Sequence, residues 1–254
     1  MLGKAWEWAF GGCNMHFPLT FDDGFETLVR FRRYRGDVPE EMLLRVVEHE
    51  VVALEALAKA GCLVPHAWRA PSQTKRKSSR KGGARARTKL ITGKRDLHPY
   101  FFIERVSGTP LRMPNGTPPD EFIRSYAEEA IRRSSLKYTN IGSPNADGTI
   151  GPLATGYLFN SPSAPYFFGP FTNNRDRYLC NIDNKLEMIC RLVYCRKSST
   201  YAYIFYSVMR ELVAADAELA EPALETYIAH ADEIPSQFLI DDKGKLLTVI
   251  DWEW

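Results

Sequence analysis

The sequence predicts an α+β chain, with strands gathered in its opening and closing parts and helices between them. Three observations carry that reading. Two apolar runs, His16 to Phe21 and Glu26 to Phe31, flank Asp22-Asp23-Gly24, and an Asp-Gly between alternating runs is a hairpin signal. Residues 39–61 hold apolar side chains at helical spacing. Near the end, Phe238-Leu239-Ile240 and Leu246 to Ile250 flank Asp241-Asp242-Lys243-Gly244, a second hairpin.

Taken in order, residues 5–34 read as two strands around a turn, opened by Phe10-Gly11-Gly12-Cys13-Asn14. A Gly-Gly turn at the head of a hairpin lets backbone N–H groups come close to a phosphate, although most such pairs are simple turns. The helix that follows starts at Pro39, with Glu40 and Glu41 in the first turn where the helix dipole favours acids. Leu43, Leu44, Val47, Val51, Leu54, Leu57 and Ala58 keep its spacing and Gly61 ends it. Pro99 to Val106 reads as a buried strand, stopped by Ser107-Gly108-Thr109-Pro110. Helices are expected over 119–136 (inner face Phe122, Tyr126, Ala130 and Ile131), from Gly169-Asn173 to about Cys195, and over 200–219, with a glycine-rich hairpin over 140–159.

Composition narrows the function classes. At 44% hydrophobic and 25% charged, the 254 residues suit an ordinary globular protein with a sizeable core. No apolar run approaches the length of a membrane span, and MLGKAWEWAFGGC has neither a basic n-region nor an apolar core, so a cytoplasmic location is expected. Five cysteines without a C-x-x-C pair read as reduced packing residues. The net charge of +2 hides an asymmetry: residues 72–96 hold ten Lys and Arg against Asp96, a local +9, which leaves −7 for the rest. That Lys/Arg/Ser/Gly stretch cannot offset its ordering entropy and is expected to be a mobile insertion. A nucleic-acid patch is the other reading, but no aromatics are interleaved for base stacking.

The chemistry concentrates in the last thirty-one residues. His230 and Asp232 precede the first strand of the closing hairpin, and Asp251 ends the second. Two carboxylates at the mouth of a cleft suit phosphoryl transfer, one taking a hydroxyl proton and the other binding a hard cation. The string HADEIPSQFLID…IDWEW resembles the catalytic and metal-binding loops of the aminoglycoside phosphotransferase and choline kinase-like family, which shares the protein-kinase fold. The GGxN-hairpin-DDG opening, Gly108-Thr109-Pro110-Leu111, Ile141-Gly142-Ser143 and Gly151-Pro152-Leu153 add to it and resemble fungal members.

The resemblance implies a two-lobed fold, with a β-rich N-lobe over 1–106 and a helical, C-terminally shortened C-lobe over 107–254. Asp232 matches the catalytic acid, His230 the residue bracing its loop, and Asp251 the Mg²⁺ ligand. Gln237 stands where the family has a metal-binding Asn, and Arg30 where it has a phosphate-contacting Lys. Gly11 and Gly12 would cover the nucleotide, Glu50 would pair with Arg30, and Glu104 to Val106 would form the hinge beside the adenine. ATP and Mg²⁺ are the implied cofactors and a small-molecule alcohol the implied acceptor. Gln237, Arg30, and Glu233 in place of a Leu keep a second reading open, a catalytically inactive relative acting as a binding module. The family's further C-terminal helices are not in this sequence, so self-association through an incomplete C-lobe is expected.

Overall fold

The computed structural model describes residues 9–10, 14–32, 38–70, 99–113, 116–154 and 165–252. The Gly11-Gly12 turn and the basic stretch lie outside these residues.

Strands β1 (Ala9–Phe10), β2 (Asn14–Thr20), β3 (Glu26–Arg32), β4 (Ala67–Arg69) and β5 (Tyr100–Glu104) form one antiparallel sheet in the order β1-β2-β3-β5-β4. The β2–β3 hairpin turns as its sequence predicts. Gly24 takes φ +84°, and the Asp23 carboxylate accepts the Phe25 N–H at 3.0 Å. The register runs from Thr20↔Glu26 at the turn to His16↔Arg30 and Asn14↔Arg32 at the far end. Helix α1 (Glu40–Lys59) lies against this sheet and stops before Gly61 at φ +79°. Its Val47, Val51, Leu54 and Leu57 pack with Phe101 and Ile103 of β5.

Past β5 the chain enters a second sheet, where β6 (Thr109–Pro110), β11 (Phe238–Ile240) and β12 (Leu246–Val249) run in the order β12-β11-β6. Between them come helix α2 (Asp120–Arg133) and the β7–β8 hairpin (Ser143–Pro144, Ile150–Gly151). The β9–β10 pair follows (Leu153–Ala154, Phe167–Phe168), then helices α3 (Asn174–Cys190) and α4 (Ser199–Ala215). Asn173 caps α3 by accepting the Asp176 N–H at 2.8 Å. That helix ends at Cys190, short of the expected Cys195, because Leu192 and Cys195 both take left-handed backbone, with φ of +55° and +51°.

The inner face of α2 also differs from the expected stripe. Phe122 is buried, but Ala130 is exposed and Ile131 is 71% exposed, while Ser125 and Glu129 point inward. Polar partners decide the rotation. The Leu246 N–H donates to Ser125 Oγ at 2.9 Å, and the Leu63 N–H donates to Glu129 Oε2 at 2.9 Å. Each burial is thus matched by a backbone hydrogen bond, which an apolar side chain could not supply.

One apolar cluster runs from α1 and β5 through Leu111 and Phe122 to Phe238, Leu246, Val249 and Trp252. Among the described residues Cys62, Cys180, Cys190 and Cys195 are free thiols, and no helix is long and apolar enough to cross a membrane.

Candidate active site

The site is built where β3, α1 and the end of β12 meet. Arg30, only 4% exposed, reaches three groups at once. Its Nε lies 2.9 Å from Glu50 Oε1, its Nη2 donates to Asp251 Oδ1 at 2.8 Å, and its Nη1 lies 2.8 Å from His16 Nε2. The pairing expected between Arg30 and Glu50 is therefore present, with both side chains buried. Burial pushes the Glu50 carboxyl upward, and the Arg30 and Arg32 guanidiniums oppose it. Burial and the charge of Arg30 hold His16 down at about 4, against the pull of Asp251, so the imidazole is neutral and its Nε2 accepts from Arg30. His16 is a site residue that motif reading misses. Counting outward from the Asp22-Asp23-Gly24 turn finds it, since that register sets position 16 opposite position 30.

Asp251 takes φ +69°, a left-handed conformation that Asp tolerates better than most residues. The backbone around it is tied on both sides. The Trp252 indole N–H donates to the Val249 carbonyl at 2.9 Å, and His230 Nε2–H donates to the Ile250 carbonyl at 2.9 Å. The other ring nitrogen, Nδ1, accepts the Asp232 N–H at 3.2 Å. A single neutral tautomer of His230 makes both bonds, so one imidazole joins the loop of Asp232 to that of Asp251. The His230 ring also meets Trp252 edge-on at 4.9 Å. Asp232 itself is exposed.

Glu233 follows Asp232 in the same loop. It accepts from the Tyr126 hydroxyl and from Arg133 Nη1, each at 2.5 Å, which fastens the Asp232 loop to α2. Burial works against its charge, yet these two donors and the Arg133 guanidinium hold its carboxyl below the usual range.

Gln237 is buried in a 3₁₀ turn, Pro235–Gln237. Its carbonyl accepts the Ile250 N–H at 2.9 Å, which sets it beside the residue preceding Asp251. Its amide oxygen faces the Ile234 N–H at 3.4 Å, the outer limit of a hydrogen bond. The Glu104 carboxylate accepts the His66 N–H at 3.0 Å and so braces the loop after α1, while Val106 is half-buried beyond the end of β5. Gly11 and Gly12 lie outside the described residues.

Among the described residues no group of three His, Cys, Asp or Glu is arranged as a metal cage. The Asp251 carboxylate, 38% exposed, and the Gln237 amide oxygen are nevertheless hard oxygen donors on adjacent loops, a set that suits a divalent cation completed by phosphate and water. A cavity of about 560 Å³ adjoins α1 and reaches Arg32 of β3. His49 and Glu50, the β7–β8 hairpin, residues 223 and 225–229, Ala231 and Trp252 contribute to its wall. Burial and Arg45 hold His49 at about 4, against a hydrogen bond with Asn145.

No protein-family model matches the chain, and no curated protein matches it. Among the solved structures similar to it are two phosphotransferases. One, a macrolide 2'-phosphotransferase type I, has a TM-score of 0.47 at 15% identity, over 99% of this chain and 66% of that one. The other, the apoenzyme of macrolide 2'-phosphotransferase MphH from Brachybacterium faecium, has a TM-score of 0.46 at 12% identity, over 97% of this chain and 65% of that one. The chain thus spans just under two thirds of the length of each phosphotransferase that it resembles.

Proposed function

We propose that the chain is a kinase-like phosphotransferase that moves the γ-phosphoryl group of ATP to a hydroxyl of a small molecule. The observation that carries this reading is the linked pair of loops: Asp232 and Asp251 joined through His230, with Asp251 held against Arg30 and Glu50. In this reading the chain has two lobes meeting near residue 106, and the nucleotide lies between them.

The acceptor hydroxyl oxygen attacks the γ-phosphorus, the bond from γ-phosphorus to the β,γ-bridging oxygen breaks, and ADP leaves. Asp232, exposed at the cleft, takes the hydroxyl proton and orients the attacking oxygen. His230 holds that loop in place through the Asp232 N–H. Arg30 sets a planar, doubly donating cation against the phosphate oxygens, oriented by Glu50. Asp251 and Gln237 would hold the divalent cation, which when bound neutralises charge on the β- and γ-phosphates. Ala231, next to Asp232, lines the 560 Å³ cavity, so the body of the acceptor is assigned to that space.

One observation favours a second reading, a nucleotide-binding protein without turnover: the Gln237 amide oxygen is turned toward its own loop. Calorimetry with ATP and γ-phosphate transfer assays on Asp232→Asn separate the two. Phosphotransfer requires that Asp232→Asn binds ATP as the native chain does and transfers nothing, and that Gln237→Asn raises turnover. ATP bound without turnover in either chain supports the second reading. No ATP binding at all removes both.

A further inference from the structure

Asp251 is asked to bind a cation, yet it already holds one. The Arg30 guanidinium donates to its Oδ1 at 2.8 Å while Glu50 and His16 fix the other two nitrogens at 2.9 and 2.8 Å. An arginine anchored at three points does not swing away as a solvated side chain would. We propose that His16 is a positioning residue for Arg30, and that together they keep Asp251 paired with the guanidinium until a polyphosphate draws it off. The site then takes its anion first and a divalent cation second.

The chemistry supports that order. Phosphate oxygens suit the guanidinium fork as two-point acceptors and carry more negative charge than the Asp251 carboxylate, whose Oδ1 meets Nη2 at 2.8 Å. A free divalent cation has no comparable hold on Arg30; it must displace one positive charge from Asp251 and then sit beside it. Lysine could not do this work. A single ammonium cannot present separate nitrogens to Glu50, His16 and Asp251 in one plane. His16 is suited to its place because it is neutral and accepts, where a protonated ring would repel the arginine. The inference deepens the phosphotransferase reading and rests on it for the identity of the anion.

The test is Mn²⁺ binding followed by electron paramagnetic resonance of the free ion, first without nucleotide and then with ATP. Without nucleotide the native chain should bind Mn²⁺ weakly, and Arg30→Lys, which keeps the buried charge beside Glu50, should bind it on the order of tenfold more tightly, equivalent to about 1.4 kcal/mol. Adding Asp251→Asn to Arg30→Lys should cancel the gain. His16→Leu should show part of the gain, and His16→Gln, which restores a neutral acceptor, should return to native behaviour. This pair carries the test if Arg30→Lys does not fold. Equal Mn²⁺ affinity in the native chain and both position-30 and position-16 variants overturns the inference, as does a gain that survives Asp251→Asn. If ATP binds no variant while the Asp251-dependent gain is present, the guanidinium's hold on Asp251 stands and the phosphotransferase reading falls.

Discussion

His49 should make the fold sensitive to mild acid. It lies on α1, 8% exposed, with its ring 6.0 Å from Phe167 and edge-on to it. Burial and Arg45 hold it at about 4, against the ordinary 6.5. The folded chain therefore refuses a proton that the unfolded chain accepts between those two values. Stability is full above 6.5 and is lost as the pH falls toward 4. At about pH 5 the linkage relation gives a loss on the order of 2 kcal/mol. Because His49 borders a cavity, part of this is screened, and about 1–2 kcal/mol is the working figure. Urea unfolding at about pH 7 and about pH 5 would measure it. His49→Gln removes the titration, so the variant should lose about 1–2 kcal/mol less than the native chain across that interval. His16, shifted the same way, adds an equal background to both. If native chain and variant fall by the same amount, His49 is not the neutral buried group described here.

Three further outcomes follow from packing and composition. Glu129, fully buried, accepts the Leu63 N–H and an Arg132 N–H, so Glu129→Ala should cost about 2–3 kcal/mol in urea unfolding, and Glu129→Gln, which keeps an acceptor, clearly less. Helix α4 exposes Tyr201, Ile204, Phe205, Val208 and Leu212 along one side, so sedimentation should show concentration-dependent association that Ile204→Glu with Val208→Glu abolishes. Deleting residues 74–94 should leave the melting temperature nearly unchanged, since their composition supports no core; a large drop would show that they pack on the acidic remainder.

What could be read from the residues was whatever is local. Both hairpins announced themselves through an Asp-Gly or Asp-Lys-Gly turn, and α1 through its period and its flanking Pro39 and Gly61, because those signals act within a few residues. The Arg30–Glu50 pair was reachable only through the resemblance. His16 needed a register, which the turn supplied but motif matching ignored. Glu233 and Glu129 were illegible for a different reason. Their partners lie 107 and 66 positions away, and a lone Glu in a loop or on a helix looks the same whether it is solvated or buried. The turn of α2 that buries Glu129 and exposes Ile131 shows hydrophobic periodicity giving way to hydrogen-bond supply.

The left-handed backbone of Asp251 sets folding and chemistry at odds. At φ +69° a glycine would sit without the conformational cost, on the order of 1–3 kcal/mol, that a side chain brings there. Asp251→Gly would thus relieve the main chain while leaving Arg30 and Glu50 without the carboxylate they were built around. A library of this chain selected only for heat resistance would be drawn to that position, and the survivors would be sturdier proteins without the carboxylate proposed to hold a cation. Selection that also rewarded the proposed nucleotide binding at every round would keep the aspartate.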